Sequence, residues 1–85
     1  MNRQTACKCC GYNTIGPEGD DSYEICPVCF WEADPVQNAN PEFGGGANVP
    51  SPDEARRTFS AIGACEPRFL EQVRKSHFTE LPENN

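Results

Sequence analysis

Aliphatic side chains are scarce in this sequence. Three Ile, two Leu and four Val must serve 85 residues, beside five Phe, two Tyr and one Trp. A chain of this length buries only about 60–65% of the surface it exposes when unfolded. A core drawn from so few side chains rarely holds a fold by itself. Eight Pro and seven Gly leave still less of the chain for regular structure. Other things are missing too. No apolar run approaches the roughly 18 residues of a membrane span, so no membrane partner is expected. The stretch MNRQTACKCC lacks the apolar segment of a secretory leader, which predicts a cytoplasmic protein. His77 is the single histidine, so neither a histidine-rich metal site nor a Ser–His–Asp constellation is expected, and no enzyme activity with them.

Basic residues are missing from one long region. Between Cys9 and Ala55 there is no Lys or Arg, while Glu18, Asp20, Asp21, Glu24, Glu32, Asp34, Glu42, Asp53 and Glu54 all fall there. Arg56, Arg57, Arg68, Arg74 and Lys75 follow. The formal net charge is −6, which disfavours nonspecific attraction to nucleic acid. Two readings of the acidic front stand side by side: a solvated surface that keeps a small protein soluble, or a docking face for a basic partner.

Against these absences stand six cysteines. Cys7 with Cys10 and Cys26 with Cys29 give C-x₂-C-x₁₅-C-x₂-C, a spacing expected of a zinc site. Two intervening residues let the backbone fold back so that both sulfurs of a pair face one point about 2.3 Å from a tetrahedral Zn²⁺. Gly11 can take the backbone conformation that turns N–H groups toward sulfur, and Pro27 pre-sets the second turn. Cys9 adjoins Cys10 and could share its metal only through strained local geometry, which leaves it a spectator. Cys65 reads as a small buried apolar side chain. Three disulfides are the rival reading, and the matched pairs and missing leader weigh against it. A redox C-x-x-C normally opens a helix in a βαβ context, and neither pair does so. The iron–sulfur spacings do not match. Four thiolates fill a tetrahedral shell and leave no position for water, so the metal is read as structural.

Along the chain, SYEI and FWE flank the second pair with Tyr23, Ile25, Phe30 and Trp31, which suit a small hairpin across Cys26–Cys29. GPEGDD between the clusters is turn chemistry. From Asp34 to Pro52 no hydrophobic period survives, and Phe43 is the expected anchor of a long loop. Ser51 then offers an N-cap, with Pro52 at the first helical position, Glu54 as box partner and Gly63 as a stop. Ala55, Phe59 and Ile62 recur as one buried stripe. A second helix is predicted after Glu66, with Phe69, Leu70 and Val73 along one side.

The segments CKCCGY, YEICPVCFWEADPVQ, GGAN, SPDEAR and IGACE together resemble the bacterial cysteine-rich CPCC family. Lys8 stands where that family's proline belongs, a departure in turn rigidity and not in ligands. The resemblance implies a zinc-ribbon-like fold with Cys7, Cys10, Cys26 and Cys29 as the working set, marks GGAN as a recurring loop feature, and implies no particular activity. The expected fold is α+β within one domain, 1–85: a small zinc ribbon of short antiparallel strands at 7–33, a Pro/Gly loop at 34–50, two short helices within 51–77 and a frayed tail at 78–85. The expected function is a small zinc-binding protein that acts by binding another protein, with Trp31, Phe30, Tyr23 and Phe43 as candidate anchors. Alternatives are an acidic inhibitor or immunity-type protein that neutralises a basic partner, and a nucleic-acid-binding ribbon.

Overall fold

The chain folds around two copies of one cysteine turn. The computed structural model describes residues 4–17, 19 and 22–81. Arg3, the acids Glu18, Asp20 and Asp21, and tail residues 82–85 lie outside the described residues. In the first turn the Cys7 N–H donates to the Tyr12 carbonyl at 2.9 Å and the Gly11 N–H donates to the Cys7 carbonyl at 2.9 Å. The second repeats the pattern. Cys26 N–H donates to the Trp31 carbonyl at 2.9 Å and Phe30 N–H to the Cys26 carbonyl at 2.7 Å. Each turn needs a left-handed residue just after its second cysteine. Gly11 fills it at φ 82° without cost, whereas Phe30 fills it at φ 73°, a strained position for a side chain.

Strands grow from these turns. Across the first, β1 (Thr5–Ala6) pairs antiparallel with β2 (Asn13–Ile15). Thr5 opposes Ile15 and Ala6 opposes Asn13, so Thr14 is an extra residue in a bulge. Across the second turn the expected hairpin is reduced to one antiparallel bridge, Ile25 with Glu32. Positive φ at Tyr23 and Phe30 breaks the extended run on either side of it.

The long loop contains a helix that its sequence did not suggest. In α1 (Pro35–Ala39), Asp34 is the N-cap and its carboxylate accepts from the Val36 and Gln37 N–H groups. Helix α2 (Pro52–Ile62) forms as expected: Ser51 caps it, the reciprocal bond with Glu54 is present, and Gly63 ends it at φ 89°. Its stripe is only partly covered. Ala55 is buried, but Ile62 is 39% exposed.

The second C-terminal helix is a single 3₁₀ turn, Pro67–Phe69. Glu66 gives it no side-chain cap, because its carboxylate takes the Arg68 guanidinium instead, at 3.0 Å. Beyond the turn the chain is drawn back to the second cysteine turn, where Arg74 N–H donates to the Pro27 carbonyl at 3.1 Å. The tail is ordered further than its sequence suggests. A 3₁₀ turn at Phe78–Glu80 is tied down where both Glu80 oxygens accept from Arg74, at 3.0 and 2.6 Å. The architecture is thus α+β, with two antiparallel strands, two helices and short 3₁₀ turns. No helix among the described residues is long and apolar enough to cross a membrane.

The core and the cysteine cluster are one object. Half of the buried apolar cluster is cysteine: Cys7, Cys9, Cys26, Cys29 and Cys65, with Ile15, Val28, Trp31, Ala33 and Ala55 around them.

Candidate metal centre

Each cysteine turn aims two sulfurs at one point, and β1–β2 together with the C-terminal half hold the turns face to face. Helix α2 reaches the first turn through Arg56 Nε, which donates to the Lys8 carbonyl at 2.7 Å. The segment after α2 reaches the second through Cys65 N–H, which donates to the Cys29 carbonyl at 2.8 Å. The Sγ atoms of Cys7, Cys10, Cys26 and Cys29 consequently lie within 4.8 Å of one another, an arrangement that can hold a metal ion. Across the two turns, Cys7 Sγ and Cys29 Sγ are 3.6 Å apart and Cys10 Sγ and Cys26 Sγ 3.7 Å. A disulfide would need about 2.0 Å. The edge of a tetrahedron built on metal–sulfur bonds of about 2.3 Å is about 3.8 Å. The donor set fits the metal geometry and not a cross-link.

The surroundings favour charged sulfur. Cys9 N–H donates to Cys7 Sγ at 3.4 Å, and the bulged Thr14 hydroxyl donates to Cys26 Sγ at 2.9 Å. The Cys26 thiol is held far below the ordinary thiol range, chiefly by Cys10, then by Cys29 and Cys7, with the Thr14 hydroxyl adding to them. Cys10 is pushed up in return, first by Cys26. Four thiols within hydrogen-bond reach compete for protons, and a bound cation removes that competition because the ligand is the thiolate.

The two remaining cysteines are part of the same core without joining the four. Cys9 is buried and supports the centre through its backbone N–H. The Cys65 thiol is pushed up to about 12, first by burial, so it stays protonated at neutral pH and behaves as a small apolar group.

A model of the cysteine-rich CPCC family matches residues 5–80. The chain belongs to that family. No curated protein matches it. For this CPCC protein the family boundaries agree with the geometry, since they run from β1, before the first cysteine turn, to Glu80, which anchors the end of the chain.

The GGAN segment, whose purpose the sequence left open, is explained by what it touches. Asn48 is buried, and its side chain bonds the Glu32 backbone on both sides. Glu32 N–H donates to Asn48 Oδ1 and Asn48 Nδ2 donates to the Glu32 carbonyl, each at 2.9 Å. The amide thus acts as a substitute strand beside the Ile25–Glu32 bridge. Gln37, fully buried, completes the stitch. Its Nε2 donates to the carbonyls of Phe43, Asn48 and Pro50, all at 3.0 Å, and its Oε1 accepts from Asn48 N–H at 2.9 Å. Asp34 Oδ2 accepts from Ala47 N–H at 2.8 Å, and that bond chiefly holds its carboxyl below the usual range. Gly46 is required where the strands of this knot cross, since a Cβ there would sit 2.6 Å from Asp34 Oδ2. The DPVQ and GGAN segments are therefore two halves of one hydrogen-bonded clasp. Phe43, an exposed residue, anchors the loop through its backbone, with its carbonyl accepting from Gln37 and its N–H donating to the Asn40 carbonyl at 2.9 Å.

Of the four aromatic side chains considered as partner anchors, Trp31 is fully buried, and its Nε1 donates to Asn38 Oδ1 at 2.9 Å. Phe30 packs on Phe69 with ring centroids 4.6 Å apart. Tyr23 and Phe43 are the exposed pair.

Proposed function

We propose that this CPCC protein is a small zinc-binding protein whose Cys₄ centre is structural and which works as a protein-binding module. The observation that carries the metal reading is the gathering of four sulfurs within 4.8 Å of one another, with cross-turn distances of 3.6 and 3.7 Å close to the edge of a zinc–thiolate tetrahedron. All-sulfur tetrahedral donor sets suit Zn²⁺ among abundant divalent cations. Four thiolates occupy every vertex, which supports a structural role and not a catalytic one. Metal binding at such a site contributes on the order of 10–16 kcal/mol in small zinc peptides, which is the scale needed where half of the core is cysteine. A reducing compartment such as the cytoplasm suits thiolates in this state.

The charges support a protein partner over a nucleic acid. Arg56 is engaged with Lys8 and Asp53, Arg68 with Glu66 and Arg74 with Glu80, so few cations remain to meet phosphate. A basic partner is a narrower version of the proposal and draws its support from the net charge of −6. Much of the acidic front already serves the fold, however. Asp34 and Glu54 cap helices, Glu24 accepts from Gly16 N–H at 2.9 Å, and Asp53 pairs with Arg56.

Native mass spectrometry of protein purified without added metal, with a thiol count after denaturation, tests the metal reading. One zinc and six free thiols are expected. Absence of metal together with disulfides would overturn it.

A further inference from the structure

An open groove of about 540 Å³ lies where the two cysteine turns, the end of α2 and the C-terminal segment meet. Tyr12 comes from the first turn, Val28 from the second, Phe59 and Ile62 from the last turns of α2, and Leu70 and Val73 from the chain after the 3₁₀ turn. The volume falls in the range of ligand clefts, roughly 300–1,000 Å³. Ile62 and Leu70 are large apolar side chains at 39% and 48% exposure that line the same depression. The floor is rigid. Val28 is buried, Tyr12 meets Phe59 edge-on with centroids 6.4 Å apart, and the Arg74–Pro27 backbone bond fixes the outer wall.

The charges lining the groove have one sign. Arg74 and Lys75 stand along that wall, and no carboxylate among the described residues lines it, in a chain whose acids outnumber its bases by 13 to 7. Glu80 offsets Arg74 with both oxygens, which leaves the exposed Lys75 ammonium as the main cation facing an occupant.

We propose that this groove docks a short segment of a partner protein that presents apolar side chains beside one or more carboxylates. The apolar groups fill the depression between Phe59, Ile62 and Leu70, and the carboxylate meets Lys75, with orientation set by that charge. Because both cysteine turns supply its floor, the groove exists only when the turns are held together. The proposal therefore rests on the zinc-module reading.

Zinc-loaded full-length protein panned against a random-peptide display library tests it, with the zinc content of the same sample read by native mass spectrometry. Selected peptides are expected to combine aliphatic or aromatic residues with Asp or Glu. Their affinity, read by fluorescence polarisation, should fall about tenfold or more with Leu70→Asp and with Lys75→Glu, while both variants keep their zinc. Both positions are exposed, and Lys75→Glu leaves the apolar lining intact, so it reports on charge even if the Leu70 variant is poorly folded. A zinc-loaded protein that selects nothing, that selects Lys- or Arg-rich peptides, or whose binding survives both substitutions overturns the proposal. So does a dimer in sedimentation that Leu70→Asp dissolves, which would make a second copy of the chain the occupant. A sample without metal instead refutes the zinc reading.

Discussion

Gln37→Leu removes the centre of the clasp while keeping the volume roughly constant. The Gln37 side chain is fully buried and exchanges bonds with both backbone groups of Asn48, donating to its carbonyl at 3.0 Å and accepting from its N–H at 2.9 Å. Leucine can make neither. Each buried backbone group left without a partner costs about 1–3 kcal/mol, so the Asn48 pair alone sets the loss at about 2–6 kcal/mol. The Phe43 and Pro50 carbonyls, which are nearer to solvent, can turn to water and add less. In a domain of this size 1 kcal/mol shifts the midpoint of thermal unfolding by roughly 4–8 °C. Taking about 4 kcal/mol as the central value, the metal-loaded variant should melt roughly 16–32 °C below the equally loaded parent. The assay is a calorimetric or circular-dichroism melt at matched excess zinc, with metal content measured before heating. On the proposed zinc reading, stoichiometry should be unchanged at low temperature, because none of the four clustered cysteines has been touched. A loss below about 1 kcal/mol would refute the reasoning, since it would mean that the loop satisfies its backbone without the glutamine.

Cys9→Ser should retain one bound metal, whereas Cys7→Ser or Cys26→Ser should lose it and unfold; native mass spectrometry with circular dichroism separates the two outcomes. Gly46→Ala places a methyl group 2.6 Å from Asp34 Oδ2 and 2.9 Å from the Gln37 side chain, and should destabilise by about 1–3 kcal/mol in the same melt, against a near-silent change at an open surface site. Glu80 has its pKa lowered, first by the Arg74 guanidinium, so its contribution is complete above the unfolded carboxylate value of about 4.3 and is lost as pH falls through the lower folded value. Glu80→Gln should lower stability at neutral pH and flatten that part of the acid limb, as seen in the difference between variant and parent melts across pH; equal slopes would sink the assignment.

Some of this protein could be read in advance because it is local. The C-x₂-C turns depend on residues within six positions of each other, and Ser51, Pro52, Glu54 and Gly63 act on backbone groups within one or two turns of helix. The Asp34–Pro35 step carries the same cap-and-proline signature as Ser51–Pro52, yet a five-residue helix is too short to show a hydrophobic period, so its signal was hidden inside a loop composition. The predicted second helix is cut to one 3₁₀ turn for a local and a tertiary reason. Glu66 is spent on Arg68 two residues on, and Phe69 is held against Phe30, so the segment follows the second cysteine turn and not its own helical stripe.

The sequence by itself determined which four sulfurs come together, because cysteine spacing limits which of them can converge. Tertiary structure alone decided that Asp34, Gln37 and Asn48 form one clasp, that Cys9 is buried in the core, and that Ile62 and Leu70 line the same open groove. Side-chain amides and exposed aliphatics carry no partner in their own sequence neighbourhood. Their roles come from chain segments that meet only after the two cysteine turns have been brought together.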